Sequence, residues 1–95
     1  MKPAHKQEQE ELVDVMEAVE TTDLVDLVVF NDDINTFDHV INTLIKVCEH
    51  TPEQAEQCTL LIHYKGKCAV KSGSFDFLTP YRTAICDAGI DARIV

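Results

Sequence analysis

The segment Leu24–Phe30 is the feature that most constrains how this chain can fold. It is apolar and rich in β-branched residues, and the polar residues Asn31, Asp32 and Asp33 follow it directly. A short apolar run that ends in turn-forming residues is typical of a β-strand. We therefore predict a first strand that ends in a polar turn.

Two helices with clear start signals follow this turn. Asn35 or Thr36 can cap the first helix, in which apolar residues recur at three- and four-residue steps. The segment Thr51–Gln54, with the sequence TPEQ, offers the second helix a capping box and a proline at its first position. Gly66 is a good terminator for that second helix.

The last third of the chain predicts a strand, a helix and a strand. Lys67–Ser72 alternates weakly, and Thr79 and Pro80 repeat the cap-then-proline signal inside or at the start of a third helix, which ends near Gly89. Ile90–Val95 forms the final short strand. The order β-α-α-β-α-β predicts an α+β domain, in which three helices cover one face of a small antiparallel three-stranded sheet.

Length and charge narrow the class of protein. A chain of 95 residues forms one domain with one modest core, and a net charge of -9 argues against a nucleic-acid partner. The first 23 residues carry two basic and seven acidic side chains and no aromatic residue. We therefore predict a flexible acidic extension over residues 1–23 and a folded domain over residues 24–95.

The absence of long apolar segments and the use of cysteine predict a cytoplasmic protein. No apolar run approaches the length of a membrane span, and the N-terminal residues contain no secretory signal. Cys48, Cys58, Cys68 and Cys86 form no C-x-x-C pair, and we expect them to be reduced thiols.

Catalytic and metal chemistry have weak support in this sequence. Several cysteines and histidines are possible zinc ligands, but their spacings match no zinc pattern, and we expect neither a metal nor a cofactor. No glycine-rich oxyanion turn accompanies a cysteine, and nothing resembles a phosphate-binding loop. The sequence therefore predicts no catalytic residues.

The turn Asn31-Asp32-Asp33 and the helix residue His63 are the most interesting polar residues. An amide carbonyl, a carboxylate and an imidazole nitrogen can each accept a hydrogen bond. Three such acceptors that converge on one point would suit a primary ammonium group, which has three donors. A polar turn and an unrelated, half-buried histidine are the alternative interpretation of the same residues.

Two separated motifs together resemble the ClpS family. These are VVFNDD at Val28–Asp33 and HYKGK at His63–Lys67. The resemblance runs from about Asp26 to Gly66 without a gap, and more loosely to Val95. ClpS proteins are adaptors that deliver N-degron substrates to the Clp protease, and the predicted order of elements matches their fold. The resemblance implies a binding protein that is not an enzyme.

The resemblance also implies roles for individual residues. Asn31, Asp32 and His63 would hold the α-amino group of a substrate, which would select free N-termini. The first side chain of the substrate, Leu, Phe, Tyr or Trp, would enter an apolar pocket. The matching pocket positions are Asn35, Phe37, Val40, Thr59, Ile62 and Ala92.

Three positions in this pocket depart from the family pattern. The family usually has Thr-Pro-Met where this chain has Asn35, Thr36 and Phe37. The methionine acts in the family as a gate against β-branched side chains, and we expect Phe37 to lie at the pocket mouth in that role. Thr59 stands where methionine is common, and Ala92 where a larger apolar residue is usual.

A second surface is expected to bind the N-terminal domain of a Clp-family AAA+ unfoldase. In the family this surface involves an acidic residue before the last helix and a basic residue on it, and the nearest matches are Asp76 and Arg82. The third helix looks shortened relative to the family. The extension 1–23 would engage the pore of the unfoldase.

Two other functions stay open from the sequence. The first is a regulator that docks on the unfoldase without binding N-degrons, which Asn35, Phe37 and Thr59 motivate. The second is a small enzyme in which His63 acts as a base and Asp32 orients it. The missing nucleophile and oxyanion turn argue against the enzyme.

Overall fold

The structure, a computed structural model, describes residues 24–95 and contains three strands and three helices. In chain order these are β1 (Val25–Phe30), α1 (Phe37–Cys48), α2 (Pro52–Lys65), β2 (Lys67–Gly73), α3 (Phe75–Asp87) and β3 (Ala92–Ile94). The predicted α+β fold and its β-α-α-β-α-β order are confirmed. The predicted acidic extension 1–23 lies outside the described residues. No helix in residues 24–95 is long and apolar enough to cross a membrane.

The sheet places β1 in its centre, between β2 and β3, and both pairings are antiparallel. The C-terminal end of this central strand is held on both sides. The Phe30 N–H donates to the Asp91 carbonyl at 2.9 Å, and the Asn31 N–H donates to the Gly66 carbonyl at 2.9 Å. The polar turn after β1 therefore begins beside the C-terminal end of α2.

The hydrophobic core lies between the sheet and the helices. Its largest fully buried side chains are Leu27 and Val29 from β1, Leu44 from α1, and Leu78 and Ile85 from α3. The α2 helix adds the buried residues Ala55 and Ile62 to the same cluster. Burial of these apolar side chains is the main force that holds the helices on the sheet.

The start signals of the first two helices act as the sequence predicts. Thr36 caps α1 by accepting a hydrogen bond from the His39 N–H at 3.1 Å. Thr51 and Gln54 form both hydrogen bonds of a capping box at the start of α2. Gly66 follows α2 with a φ of 97°, a left-handed conformation that favours glycine.

The third helix contains the Thr79-Pro80 signal in its interior, which is one of the two positions that the sequence allows. Ser74 is its cap, because the Ser74 hydroxyl accepts a hydrogen bond from the Phe77 N–H at 3.1 Å. Thr79 and Pro80 therefore lie inside the helix, and the Thr79 hydroxyl donates to the Phe75 carbonyl. With 13 residues α3 is similar in length to α1 and α2, which have 12 and 14 residues.

The last strand is shorter than predicted. It covers Ala92–Ile94, because the Ile90 N–H donates to the Ile85 carbonyl and so belongs to the turn that closes α3. Beyond the strand, Val95 and Asp26 still exchange two backbone hydrogen bonds. The pairing with β1 is therefore continued by one residue.

The β2 strand contains a bulge that a buried histidine stabilises. Leu27 pairs with Lys71 and Val28 with Ala69, which leaves Val70 as an extra residue on β2. The Val70 carbonyl accepts a hydrogen bond from His50 Nε2 at 2.9 Å, and the His50 side chain is buried. This bond satisfies a backbone group next to an interrupted ladder.

We expect the substitution His50→Phe to lower the free energy of unfolding by about 1–3 kcal/mol. Phenylalanine keeps a ring of similar size but cannot donate to the buried Val70 carbonyl. Chemical denaturation measures the effect. His63→Phe is the matched control, since the exposed His63 makes no hydrogen bond to residues 24–95 and should change the free energy by no more than about 0.5 kcal/mol. Equal stability of both variants would contradict a role for His50 at the bulge.

Candidate functional site

The turn between β1 and α1 is organised by the side chain of Asp32. Its Oδ1 atom accepts hydrogen bonds from the backbone N–H groups of Ile34 at 2.9 Å and Asn35 at 2.8 Å. Its Oδ2 atom accepts a third bond, from the Asn35 side-chain amide, at 2.7 Å. A carboxylate offers about four lone-pair positions, so three of them are used within the turn.

These hydrogen bonds favour the ionised form of Asp32. The pKa of its carboxyl group lies below the ordinary value, first because of the bond from the Asn35 backbone N–H, and further because of the Asn35 amide and the Ile34 N–H. Partial burial acts in the opposite direction. The turn therefore presents a fixed negative charge near neutral pH.

The helices supply the apolar part of the site. Ile62 and His63 lie three and four residues after Thr59, so both are neighbours of Thr59 on one face of α2. Thr59 and Ile62 are buried, and the Thr59 hydroxyl donates to the Ala55 carbonyl at 2.7 Å. Val40, the fourth residue of α1, is also buried. Because the Thr59 hydroxyl is already paired, this wall is largely apolar.

A cavity of about 330 Å³ lies between the polar turn, α1 and α2. One part of its lining is polar and the other apolar, which is the usual character of a small-ligand site. The lining residues are Asn31, Asp32, Asp33, Asn35, Thr36, Phe37, Val40, Thr59, Ile62 and His63.

Phe37 lies at the rim of this cavity. It is the first residue of α1, lines the cavity, and remains 38% exposed. Its ring packs edge-on against the imidazole of His63, with 5.6 Å between ring centroids, and His63 packs in the same way against Tyr64. The phenyl ring is therefore supported on one side by another ring and open to solvent on the other.

Eight of the nine residues that the sequence assigns to substrate binding come together in this cavity. The exception is Ala92. Its side chain is buried in the hydrophobic core, and the residue pairs with Val29 of β1. Ala92 does not line the cavity, so the structure gives its assignment to the pocket no support.

The two predicted docking residues lie elsewhere, and not as the sequence suggests. Asp76 is in the first turn of α3, not before the helix. Arg82 lies six residues later, which places the two residues about 120° apart around the helix axis. Asp76 is exposed, whereas Arg82 is half-buried and its Nε atom is buried without a hydrogen-bond partner among the described residues. The two residues therefore lie on different sides of the helix and differ in exposure.

Asp33 and Thr36 also line the cavity. The sequence singled out Asp33 only as part of the polar turn and Thr36 only as a possible helix cap, and it assigned neither to substrate binding. Asp33 is exposed, and its carboxylate accepts no hydrogen bond from residues 24–95. The same holds for the side chains of Asn31 and His63. The signal for Asp33 was present, since it is adjacent to Asp32, but the sequence does not say which carboxylate the turn itself uses.

Within residues 24–95, no three His, Cys, Asp or Glu side chains lie close enough together to hold a metal ion. The arrangement can instead accept hydrogen bonds from a cationic group at its polar end and bury an apolar group at the other.

Comparisons with known proteins agree with this geometry. Residues 20–91 match the family model described as the ATP-dependent Clp protease adaptor protein ClpS. No curated protein sequence matches the chain. Among solved structures, the chain is similar to Agrobacterium tumefaciens ClpS2 bound to L-phenylalaninamide, with a TM-score of 0.67 and 16% sequence identity over 77% of this chain and 95% of that chain. At this identity the likeness shows a shared fold, whereas the family match covers most of the sequence: this chain belongs to the ClpS family of Clp protease adaptors.

Proposed function

We propose that this protein is an adaptor that binds the free α-amino group and the bulky apolar first residue of N-degron substrates and delivers them to a Clp AAA+ unfoldase. The observation that carries the proposal is the cavity itself, which joins acceptors that have no partner among residues 24–95 to a buried apolar wall. An N-terminal leucine or phenylalanine has the matching chemistry, an ammonium group and a large apolar side chain on one carbon atom.

The polar end of the cavity suits an ammonium group. An α-amine has a pKa near 8 and is mostly charged at neutral pH, with three N–H donors. The amide oxygen of Asn31, the carboxylate of Asp33 and an imidazole nitrogen of His63 are three acceptors with no partner among residues 24–95. Hydrogen bonds between charged groups are the stronger kind, so a free amine is favoured over an acylated one.

We assign different roles to the two neighbouring carboxylates. Asp33 binds the amine directly, because its oxygens are free. Asp32 holds the turn in shape with three of its lone pairs, and its negative charge adds a favourable field at short range.

The apolar wall sets the preference for the first side chain. Val40, Thr59 and Ile62 are buried and suit Leu, Phe, Tyr or Trp. The rigid ring of Phe37 at the rim leaves little room for a branch at the β-carbon of the substrate, whereas Leu and Phe place their bulk one carbon further along. Agrobacterium tumefaciens ClpS2 has been solved with L-phenylalaninamide, which carries a free α-amine and a benzyl side chain, and this supports the proposal.

The protein performs no chemistry in this scheme, because the partner unfoldase does the work of unfolding. We propose that the N-terminal domain of the unfoldase docks on the side of the molecule formed by α3, where Asp76 and Arg82 make separate contacts. The four cysteines are free thiols in the structure, which supports a location in the reducing cytoplasm.

A free N-terminus should be essential for binding. We expect a peptide that begins with Leu to bind, and its N-acetylated form to lose about 2–4 kcal/mol of binding free energy, because the acetyl group removes both the charge and two donors. Fluorescence anisotropy measures both affinities, and mass spectrometry of the peptide should show it intact after incubation. Equal affinities would contradict amine recognition, and a cleaved peptide would favour the enzyme alternative.

The two carboxylates should be separable by mutation. We expect Asp33→Asn to weaken binding of the Leu peptide by about 1.5–3 kcal/mol, the scale of a charged hydrogen bond, with the free energy of unfolding nearly unchanged. Asp32→Asn should weaken binding and also lower stability, because the new amide places donors against the Asn35 amide. Asp38→Asn removes a charge on α1 outside the cavity and is the control. Loss of binding in Asp32→Asn alone would assign the amine to Asp32.

Phe37 should control discrimination against β-branched residues. We expect Phe37→Ala to raise the affinity of Ile- and Val-initiated peptides relative to Leu by about 1–3 kcal/mol, because the variant removes the obstructing ring. The control is Ile34→Ala, since the Ile34 side chain is 88% exposed and does not line the cavity. An unchanged ratio of Ile to Leu affinity in a stable Phe37→Ala protein would assign the selection to Thr59 and Ile62.

A further inference from the structure

The end of α3 is tied to the polar turn although it does not line the cavity. The Asn35 side-chain amide donates to the Gly89 carbonyl at 2.8 Å, across 54 positions of sequence. One turn further along α1, His39 Nε2 lies 2.8 Å from the Ala88 carbonyl and donates to it, because a carbonyl can only accept. Two neighbouring carbonyl groups after α3 thus receive hydrogen bonds from the start of α1 and the turn before it.

The orientation of the Asn35 amide is fixed by its two partners. Both are acceptors, the Asp32 Oδ2 atom at 2.7 Å and the Gly89 carbonyl at 2.8 Å. Only the amide nitrogen can serve both, since each of its protons meets one acceptor, and the reversed amide would place its oxygen against two oxygens. Asn35 therefore forms a bridge from the end of α3 to the carboxylate of Asp32.

We infer that Asn35 is a positioning residue, which connects the Ala88–Gly89 turn to the Asp32 carboxylate and fixes the position of that carboxylate. In this way it also holds the polar turn, whose residues Asn31 and Asp33 bind the amine. This inference rests on the proposed function for its effect on substrate binding. It assigns Asn35 a role other than that of a pocket wall, which was its role by family resemblance. It also makes Gly89 part of the support of the site.

Gly89 is suited to this role by its backbone. Its φ of 88° lies in the left-handed region, which residues other than glycine and asparagine rarely adopt. A Cβ atom at this position would meet nothing closer than the Asn35 Oδ1 atom at 4.0 Å. A substitution here therefore acts through the backbone, and so through the direction of the Gly89 carbonyl, and not by filling the cavity.

A comparison with His39 distinguishes two effects, the positioning of Asp32 and the attachment of α3 to α1. Its bond to the Ala88 carbonyl matches that of Asn35 to Gly89 in length, and it ties α1 to the same turn. His39 makes no contact with Asp32 through a hydrogen bond and does not line the cavity. Loss of His39 should weaken the attachment of α3 while the Asp32 carboxylate keeps all three of its hydrogen bonds.

The test compares Asn35→Ala with His39→Ala in three measurements: the pKa of Asp32 from the carbon-13 shift of its carboxyl group, the affinity for a Leu-initiated peptide, and the melting temperature. We expect Asn35→Ala to raise the Asp32 pKa toward its ordinary value and to weaken peptide binding by about 10-fold, since a bond to a charged group is lost. His39→Ala should lower the melting temperature to a similar degree, with the Asp32 pKa unchanged and the affinity within about 2-fold of the parent protein.

Two further variants sharpen this test. Asn35→Thr offers a single hydroxyl donor, and we expect it to restore part of the affinity and part of the lowered Asp32 pKa. Gly89→Ala should reproduce the loss of affinity of Asn35→Ala in weaker form, whereas Gly89→Asn, which tolerates the left-handed conformation, should stay closer to the parent protein.

The possible outcomes decide between positioning and simple stability. If Asn35→Ala and His39→Ala lose affinity equally while the Asp32 pKa stays unchanged, Asn35 is only a structural residue and the inference is overturned. If the parent protein does not bind the Leu peptide, the proposed function fails. In that case the Asp32 pKa still decides whether Asn35 positions the carboxylate: a raised pKa in Asn35→Ala supports it, and an unchanged pKa refutes it.

Discussion

The three hydrogen bonds to the Asp32 carboxylate shape the turn on which the site depends. They fold the chain back between the central strand β1 and the first helix α1, at the point where Asn31 is also tied to the end of α2. This turn places the polar residues that follow β1 opposite the face of α2 that carries His63. Without it, the two would not line the same cavity. The Asp32 carboxylate accepts hydrogen bonds from backbone and amide donors, and these bonds also lower its pKa.

Local signals explain why much of the fold could be predicted from the sequence. The capping box at Thr51, the left-handed Gly66 and the apolar strand β1 act within a few residues, so that sequence and structure correspond directly. The start of α3 stayed open because Thr79 and Pro80 imitate a cap, whereas the cap in the structure is Ser74. Competing local signals of similar strength are resolved by packing, and Leu78 and Ile85 of α3 are fully buried against the sheet.

The site shows where sequence reasoning reaches its limit. Family resemblance identified eight of the residues that line the cavity, but it could not assign their hydrogen bonds. Asp32 and Asp33 are equivalent in sequence, and only the structure shows that one carboxylate is used by the turn while the other is free. The bridge from Asn35 to Gly89 spans 54 positions and has no local pattern. Ala92, which the resemblance also places in the pocket, does not line the cavity and is buried in the core.

The central claim is that the first residue of a peptide binds in the cavity between the polar turn, α1 and α2. The most direct test is a titration of the nitrogen-15-labelled protein with a Leu-initiated peptide, followed by amide chemical shifts. The account predicts that the largest shifts fall in residues 31–40 and 59–66, with little change in the exposed part of α3. Shifts that centre on α3, or that are absent at saturating peptide, would contradict it.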